Sequence, residues 1–185
     1  MTKNPIYQIK DVSYLPGSSV TEVFLSQREA PVSLTRTTEV FAFYNEKLVI
    51  ADVIGRGLDL PGGHVDPGES LVDATIREAR EEAGIIIERK NLIPFAIKKH
   101  HCFGDKPDDY DYPFPVSSVG IYLAKVSSFD PSLIFRNECD DPIFVGSDLV
   151  VPREYSSKWT DFLPKVGYDL IKESYRKFSF IFGKF

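Results

Sequence analysis

Residues 62–85 read GGHVDPGESLVDATIREAREEAGI, and this stretch decides how the rest of the chain is read. Its opening is crowded with breakers: Gly62, Gly63, Pro67 and Gly68, preceded by Gly55, Gly57 and Pro61. That density predicts a loop with an unusual backbone path. Ser70 then opens a helix, with Asp73 placed three residues later as the acidic member of a capping box. Val72, Ile76, Ala79 and Ala83 recur at helical spacing and predict one apolar face. Gly84 supplies the stop, since a helix C-terminus favours a residue that tolerates positive φ.

Opposite that predicted stripe, Glu78, Glu81 and Glu82 stand at i, i+3 and i+4, so their side chains converge on one patch. Like charges at these spacings cost about 0.2–0.5 kcal/mol per pair in an isolated helix. Glu78 and Glu81 also lie beyond the first turn, where the helix dipole would favour them. A hard divalent cation would offset the clustering, because Mg²⁺ takes carboxylate oxygens, water and substrate phosphate together. Taken alone, the three glutamates suit a solvated acidic face equally well. The glycine-rich approach tips the balance, since glycine lets main chain come close to a metal or a phosphate.

Working outward, Val40–Tyr44 and Leu48–Val53 flank the polar Asn45-Glu46-Lys47 and read as two strands around a turn. Val20–Leu25, Ile85–Ile87, Leu92–Ile97 and Val116–Val126 read as further strands, and Val166, Leu170, Ile171, Tyr175, Phe178 and Ile181 trace a second helix. Between strands, His100–Pro115 reads as a long surface loop rich in aspartate, proline and aromatics. Strands alternating with two helices predict a mixed α/β or α+β sandwich. No repeat or linker divides the 185 residues, so one domain is expected over 1–185, with a core at about 37–160. An N-terminal extension (1–36) and a C-terminal helix (about 165–182) complete it.

The chain carries 22 lysines and arginines against 27 aspartates and glutamates, a formal charge of −5 that disfavours a nucleic-acid polymer as partner. No apolar run reaches the length of a membrane span, and no signal peptide is read at the N-terminus. Cys102 and Cys139 have no metal-type spacing and suit free thiols in the cytoplasm.

Residues 62–85 resemble the signature of the Nudix hydrolases, MutT-like enzymes. That pattern is Gly, five residues, Glu, seven residues, then Arg-Glu-U-x-Glu-Glu-x-Gly-U with U aliphatic. It falls here on Gly63, Glu69, Arg77, Glu78, Ala79, Glu81, Glu82, Gly84 and Ile85. Leu60-Pro61-Gly62-Gly63 resembles the family's usual approach to the motif, while Leu58 stands where relatives often carry Trp. The resemblance implies an α/β/α sandwich with a mixed sheet. It also implies hydrolysis, with Mg²⁺ or Mn²⁺, of a pyrophosphate bond in a nucleoside diphosphate linked to another group. A nucleoside triphosphate or an oxidised nucleotide is the substrate first expected. The alternatives are a sugar-nucleotide or dinucleotide hydrolase, or a non-catalytic nucleotide-sensing module.

By the same resemblance, Glu78, Glu81 and Glu82 are metal ligands, joined by the Gly62 carbonyl, and Glu69 with Arg77 is a supporting pair. The general base is a helix glutamate, Glu78 or Glu81, or a carboxylate on a distant loop. Asn137–Val145 resembles the family's downstream Glu-x-x-Glu-x-x-Trp-Val segment, which makes Glu138 a candidate metal ligand or base and a polar turn the competing reading. Tyr110, Tyr112 and Phe114, interleaved with aspartates, are candidates to cover a nucleobase as a lid, with packing in a homodimer as the competing explanation. His100 and His101 read as loop-edge residues, and Trp159 as packing before the last helix.

Overall fold

Along each strand the buried side chains alternate between two layers, and the layer each one meets sets the architecture. The computed structural model describes residues 1–2 and 4–183. Its strands are β1 (Tyr7–Lys10), β2 (Ser18–Leu25), β3 (Thr35–Tyr44), β4 (Lys47–Val53), β5 (Gly57–Asp59), β6 (Gly62–His64), β7 (Ile85–Ile86), β8 (Leu92–Phe103), β9 (Val116–Lys125), β10 (Ser128–Phe129) and β11 (Ile143–Val145). The helices are α1 (Leu71–Ala83), α2 (Ser156–Val166) and α3 (Tyr168–Phe182). One sheet runs β1-β2-β8-β9-β3-β4-β11, with β5 added to β4 and β6 to β3, while β7 pairs with β10. β3 and β9 run parallel; their neighbours β8 and β4 pair with them antiparallel, so the sheet is mixed.

Phe41 and Phe43 of β3 and Ile121 and Leu123 of β9 bury against Trp159 and Phe162 of α2 and Leu170, Ile171 and Phe178 of α3. Val40, Ala42, Tyr122 and Ala124 turn to the other face and meet Leu71, Ala79 and Ala83 of α1. The result is the expected α/β/α sandwich of the α+β class. Asn45 and Glu46, at φ 49° and 61°, form the two-residue turn between β3 and β4, whose left-handed backbone matches the twist of the strands it joins.

Four expectations need correction. The glycine-rich stretch is not loop throughout, since it contains β5 and β6. Gly62 lies so close to β3 that a Cβ there would sit 2.1 Å from the Thr38 carbonyl oxygen, so this glycine marks a close approach rather than a break. The C-terminal region holds two helices, not one: α2 contains Pro164 and runs to Val166, and Gly167, at φ 89°, separates it from α3. Trp159 does pack as expected, stacked on Phe162 at 5.2 Å. The third correction concerns α1, which buries Leu71, Ala74, Thr75, Ala79, Glu82 and Ala83 and leaves Val72 and Ile76 half-exposed. Small side chains let this face come close to the sheet, and Glu82 is carried inside with them. Fourth, β8 continues through His100 and His101, so neither histidine is a loop residue.

His100 is buried, with Nδ1 2.7 Å from Thr21 Oγ1. Burial, aided by the charges of Lys98 and His101, holds its pKa down to about 4 against an ordinary 6.5. A base harder to protonate when folded contributes stability above its unfolded pKa and loses it as pH falls through the folded value. Denaturant unfolding of the wild type should therefore lose up to ~3 kcal/mol from this group between pH 6.5 and pH 4. The His100→Gln variant should be flatter by that amount; parallel pH profiles would contradict a buried neutral imidazole.

Candidate active site

Ser70 caps α1 by accepting the Asp73 N–H, and Gly84, at φ 62°, closes the helix. Between them Arg77 gathers the carboxylates. Its Nε and Nη2 donate to the two oxygens of Glu69 at 3.1 and 2.9 Å, and Nη2 also donates to the His64 carbonyl at 2.8 Å. Nη1 donates to Glu78 Oε1 at 2.9 Å and Glu81 Oε2 at 3.2 Å. The planar fork of arginine suits this bidentate role, which lysine could not fill. The Arg77 guanidinium holds the Glu69 carboxyl below its ordinary range, and burial raises Glu78.

Glu82 has a different setting. It is 7% exposed, accepts the Gly62 N–H through Oε2 at 2.9 Å, and faces Arg56 Nη2 at 3.3 Å from Oε1. Burial outweighs both partners and pushes its pKa up to about 7. The strand register explains how Gly62 reaches it. Val40 N–H is donated to the Pro61 carbonyl and Val65 N–H to the Arg36 carbonyl, so Gly62 and His64 occupy the alternate, non-bonded positions opposite β3. Their amide groups turn away from the ladder: Gly62 N–H goes to Glu82 and the His64 carbonyl to Arg77. The Gly62 carbonyl points to the same side as its N–H.

This donor set suits a hard cation, being composed of carboxylate and carbonyl oxygen. Gly63 leaves a hollow that the Glu78 carboxylate fills, since a Cβ there would lie 2.4 Å from Glu78 Oε1. Thr38, the register partner of Gly63, buries a hydroxyl with no hydrogen-bond partner among the described residues. As arranged, no three His, Cys, Asp or Glu side chains among the described residues converge on one point, because Arg77 draws Glu78 and Glu81 to itself and Glu82 turns to Gly62.

Of the other candidates, Glu138 is exposed and neighbours Cys139, which bridges Val53 of β4. Its segment packs on the end of α1, where Phe135 N–H is donated to the Glu81 carbonyl at 2.8 Å. Burial, helped by Glu82, pushes the Cys139 thiol up to about 12, and Glu138 is among the charges that act on it. Tyr110, Tyr112 and Phe114 are half-buried and packed on one another, with ring centroids 5.4 and 6.3 Å apart for Tyr110–Tyr112 and Tyr110–Phe114. Tyr112 hydrogen-bonds His64, the residue after Gly63, which joins the aromatic loop to the strand at the helix entrance. Arg56 and Thr38 are absent from the sequence reading. Arg56 had a signal, since it stands between Gly55 and Gly57; Thr38 had none.

Residues 23–143 match the family model described as NUDIX domain. Among solved structures, the Bacillus subtilis pyrophosphohydrolase BsRppH is similar with a TM-score of 0.65 at 21% identity, over 95% of this chain and 99% of that one. A NUDIX hydrolase from Nitrosomonas europaea is similar with a TM-score of 0.53 at 21% identity, over 78% of this chain and 88% of that one. No curated protein sequence matches.

The contact at Gly62 is main chain against main chain, so it cannot be relieved by a rotamer. Gly62→Ala should destabilise the protein by at least ~2 kcal/mol, measured as a lower Tm and denaturant midpoint. Gly63→Ala meets the Glu78 carboxylate, the end of a flexible side chain, as its nearest neighbour and should cost less stability. Equal melting of the two variants would refute this difference in packing.

Proposed function

We propose that this chain, which belongs to the Nudix hydrolase family, hydrolyses the pyrophosphate bond of a nucleotide with the help of Mg²⁺ or Mn²⁺. A nucleoside triphosphate or another nucleoside diphosphate derivative is the substrate class. The observation that carries this reading is the collection of Glu78, Glu81 and Glu82 on one helix, with an arginine positioning two of them and the Gly62 amide holding the third. Glu78, Glu81, Glu82 and the Gly62 carbonyl would hold the cation. When bound, it would neutralise the repulsion between pyrophosphate and nucleophile and lower the pKa of water.

The chain's own residues do the rest. Arg77 and Glu69 fix the carboxylate helix to β6, and a cation would compete with Arg77 for Glu78 and Glu81. Glu82, with a pKa near neutrality, keeps its negative charge only where positive charge compensates it. The general base falls to Glu78, Glu81 or Glu138, of which Glu138 is the most exposed. Tyr110, Tyr112 and Phe114 would act as a lid through the Tyr112–His64 contact. A sensing module on the same fold has no use for the buried charge of Glu82, so the intact set favours catalysis. A reducing cytoplasmic setting suits the free thiols of Cys102 and Cys139. Among the described residues no helix is long and apolar enough to cross a membrane.

A nucleotide panel read by release of phosphate, pyrophosphate and nucleoside monophosphate, with Mg²⁺ added or chelated, tests the reaction class. Glu82→Gln should lower metal-dependent kcat by about 100-fold or more. It should not lower the Tm, because glutamine still accepts the Gly62 N–H and removes a poorly solvated charge. Unchanged kcat would sink the assignment of Glu82. Deleting residues 104–113 should raise KM or shift substrate preference with little change in melting, and normal kinetics would refute the lid.

A further inference from the structure

The turn between β4 and β5 brings a cation to Glu82 from outside the motif. Arg56 N–H donates to the Val53 carbonyl at 3.0 Å and closes this turn. The backbone is held from both sides: Ile54 N–H donates to the Glu138 carbonyl at 2.9 Å, and the Arg56 carbonyl accepts from Lys165 Nζ of α2 at 3.4 Å. The flanks of the turn are open. Gly55 and Gly57 stand on either side of Arg56 at φ 79° and 83°, and a Cβ at either would meet nothing within 4 Å. From this base the guanidinium reaches Glu82, with Nη2 3.3 Å from Oε1, while the side chain stays 62% exposed. Among the described residues this is the one hydrogen bond that the guanidinium makes.

A structural ion pair accounts poorly for this contact, because an exposed arginine with a single long bond adds little to stability. Its placement says more. Glu82 Oε2 is taken by the Gly62 N–H, so Oε1 is the oxygen left for a cation, and Arg56 lies on it. The two arginines at the glutamates also differ in what they have left to give. All five N–H groups of Arg77 are engaged. Three of those bonds go to Glu69 and the His64 carbonyl, so Arg77 stays turned to β6 even where Glu78 and Glu81 are given up to a cation. Arg56 commits one N–H and keeps the rest of a planar fork that matches two oxygens of a phosphate. A divalent cation on Glu82 Oε1 would repel the guanidinium at short range in a medium of low polarity. Such a cation brings phosphate oxygens with it.

We propose that Arg56 is a phosphate anchor that rests on Glu82 in the free chain and is displaced onto the phosphates of the nucleotide when a divalent cation takes that carboxylate. The proposal rests on the hydrolase reading, since it takes Glu82 as a cation ligand and a pyrophosphate as the anion. Glu138 and Lys165 hold the turn itself, so the displacement is a change of side-chain rotamer on a fixed backbone. The guanidinium covers the carboxylate until a cation arrives and is free for an anion afterwards. Cation and anion therefore help each other through one side chain: the first releases the anchor, and the second, by holding it, removes the competitor of the first.

Two binding measurements on the full chain test this without requiring turnover. The first is Mn²⁺ binding alone, read by electron paramagnetic resonance. The second is binding of methylenediphosphonate, a pyrophosphate mimic with an unbreakable P–C–P bridge, to the Mn²⁺-loaded chain, read by calorimetry. Arg56→Ala should bind Mn²⁺ about threefold more tightly or better, because the competitor on Glu82 is gone. The same variant should bind methylenediphosphonate about tenfold more weakly, as expected for a lost charge-assisted pair of hydrogen bonds. Arg56→Lys, a point charge without the fork, should shift both affinities in the same directions by less. These opposite signs separate an anchor from a structural residue, whose loss would weaken both ligands together. Unaltered affinity for either ligand, or weakening of both, would overturn the proposal. If Arg56→Ala does not fold, the same pair of affinities on Arg56→Lys decides. Turnover of nucleotides with unaltered diphosphonate binding in Arg56→Ala would remove the anchor and leave the hydrolase reading intact. Opposite shifts in a chain without turnover would do the reverse, and a wild type that binds no Mn²⁺ would remove both.

Discussion

One guanidinium holds the site together. Arg77 is bound to Glu69 through two hydrogen bonds, to Glu78 and Glu81 through Nη1, and to β6 through the His64 carbonyl. Each partner alone would be a weak surface contact, since exposed ion pairs contribute about 0–1 kcal/mol. Their effect lies in geometry. A rigid planar group bonded to a loop carboxylate, a strand carbonyl and two helix carboxylates leaves α1 little freedom to rotate or slide against β6. The helix that bears the glutamates is thereby fixed on the folded protein, with Glu78 and Glu81 turned to Arg77 and Glu82 to Gly62.

Glu82 shows what this rigidity costs. The face of α1 that packs on the sheet is made of small residues, and the helix lies close enough to take one glutamate inside. Nothing in the site neutralises that carboxylate fully: Arg56 is 62% exposed at its side chain and the Gly62 amide is uncharged. A buried charge with incomplete compensation is a local source of instability. It is also poised to respond to positive charge, because any cation placed there interacts through a medium of low polarity. Stability is given up at one residue where binding chemistry gains from it.

How much of this was legible in the sequence depends on whether a feature is local. The helix from Ser70 to Gly84, the hairpin around Asn45 and the partnership of Glu69 with Arg77 all follow from spacing and residue type, either directly or through the family pattern. β5 and β6 were hidden because glycine has two meanings: freedom at a turn, or absence of a side chain where two backbones touch. Only the register of β6 on β3 tells them apart. The rotation of α1 was missed because Val72 and Ile76 outweigh alanines in any count of hydrophobicity, whereas close packing prefers the alanines. α2 was obscured by Pro164, and His100 by acidic and aromatic residues that begin just after its strand ends. Lys98 and Glu39 are far apart in sequence and belong to no pattern, so only the sheet brings them together.

The same register ties the two faces of the sheet together. β6 is short, and its non-bonded positions, Gly62 and His64, serve the helix side through Glu82 and Arg77. Across the ladder from Gly62 stands Glu39, whose side chain reaches Lys98 on the far face of the sheet. A shift of β3 by one residue would exchange its faces, sending Glu39 to the helix side and breaking the Gly62 contact at once. The two sets of charges are therefore fixed relative to each other by one strand pairing and by the closeness that glycine permits. That arrangement separates their tolerance to change. Residues on α1 and β6 are constrained by one another, while Lys98 of β8 pairs with Glu39 on the opposite face. The motif in residues 62–85 records only the helix side of this pairing, which is why it identifies the reaction class and is silent on the substrate.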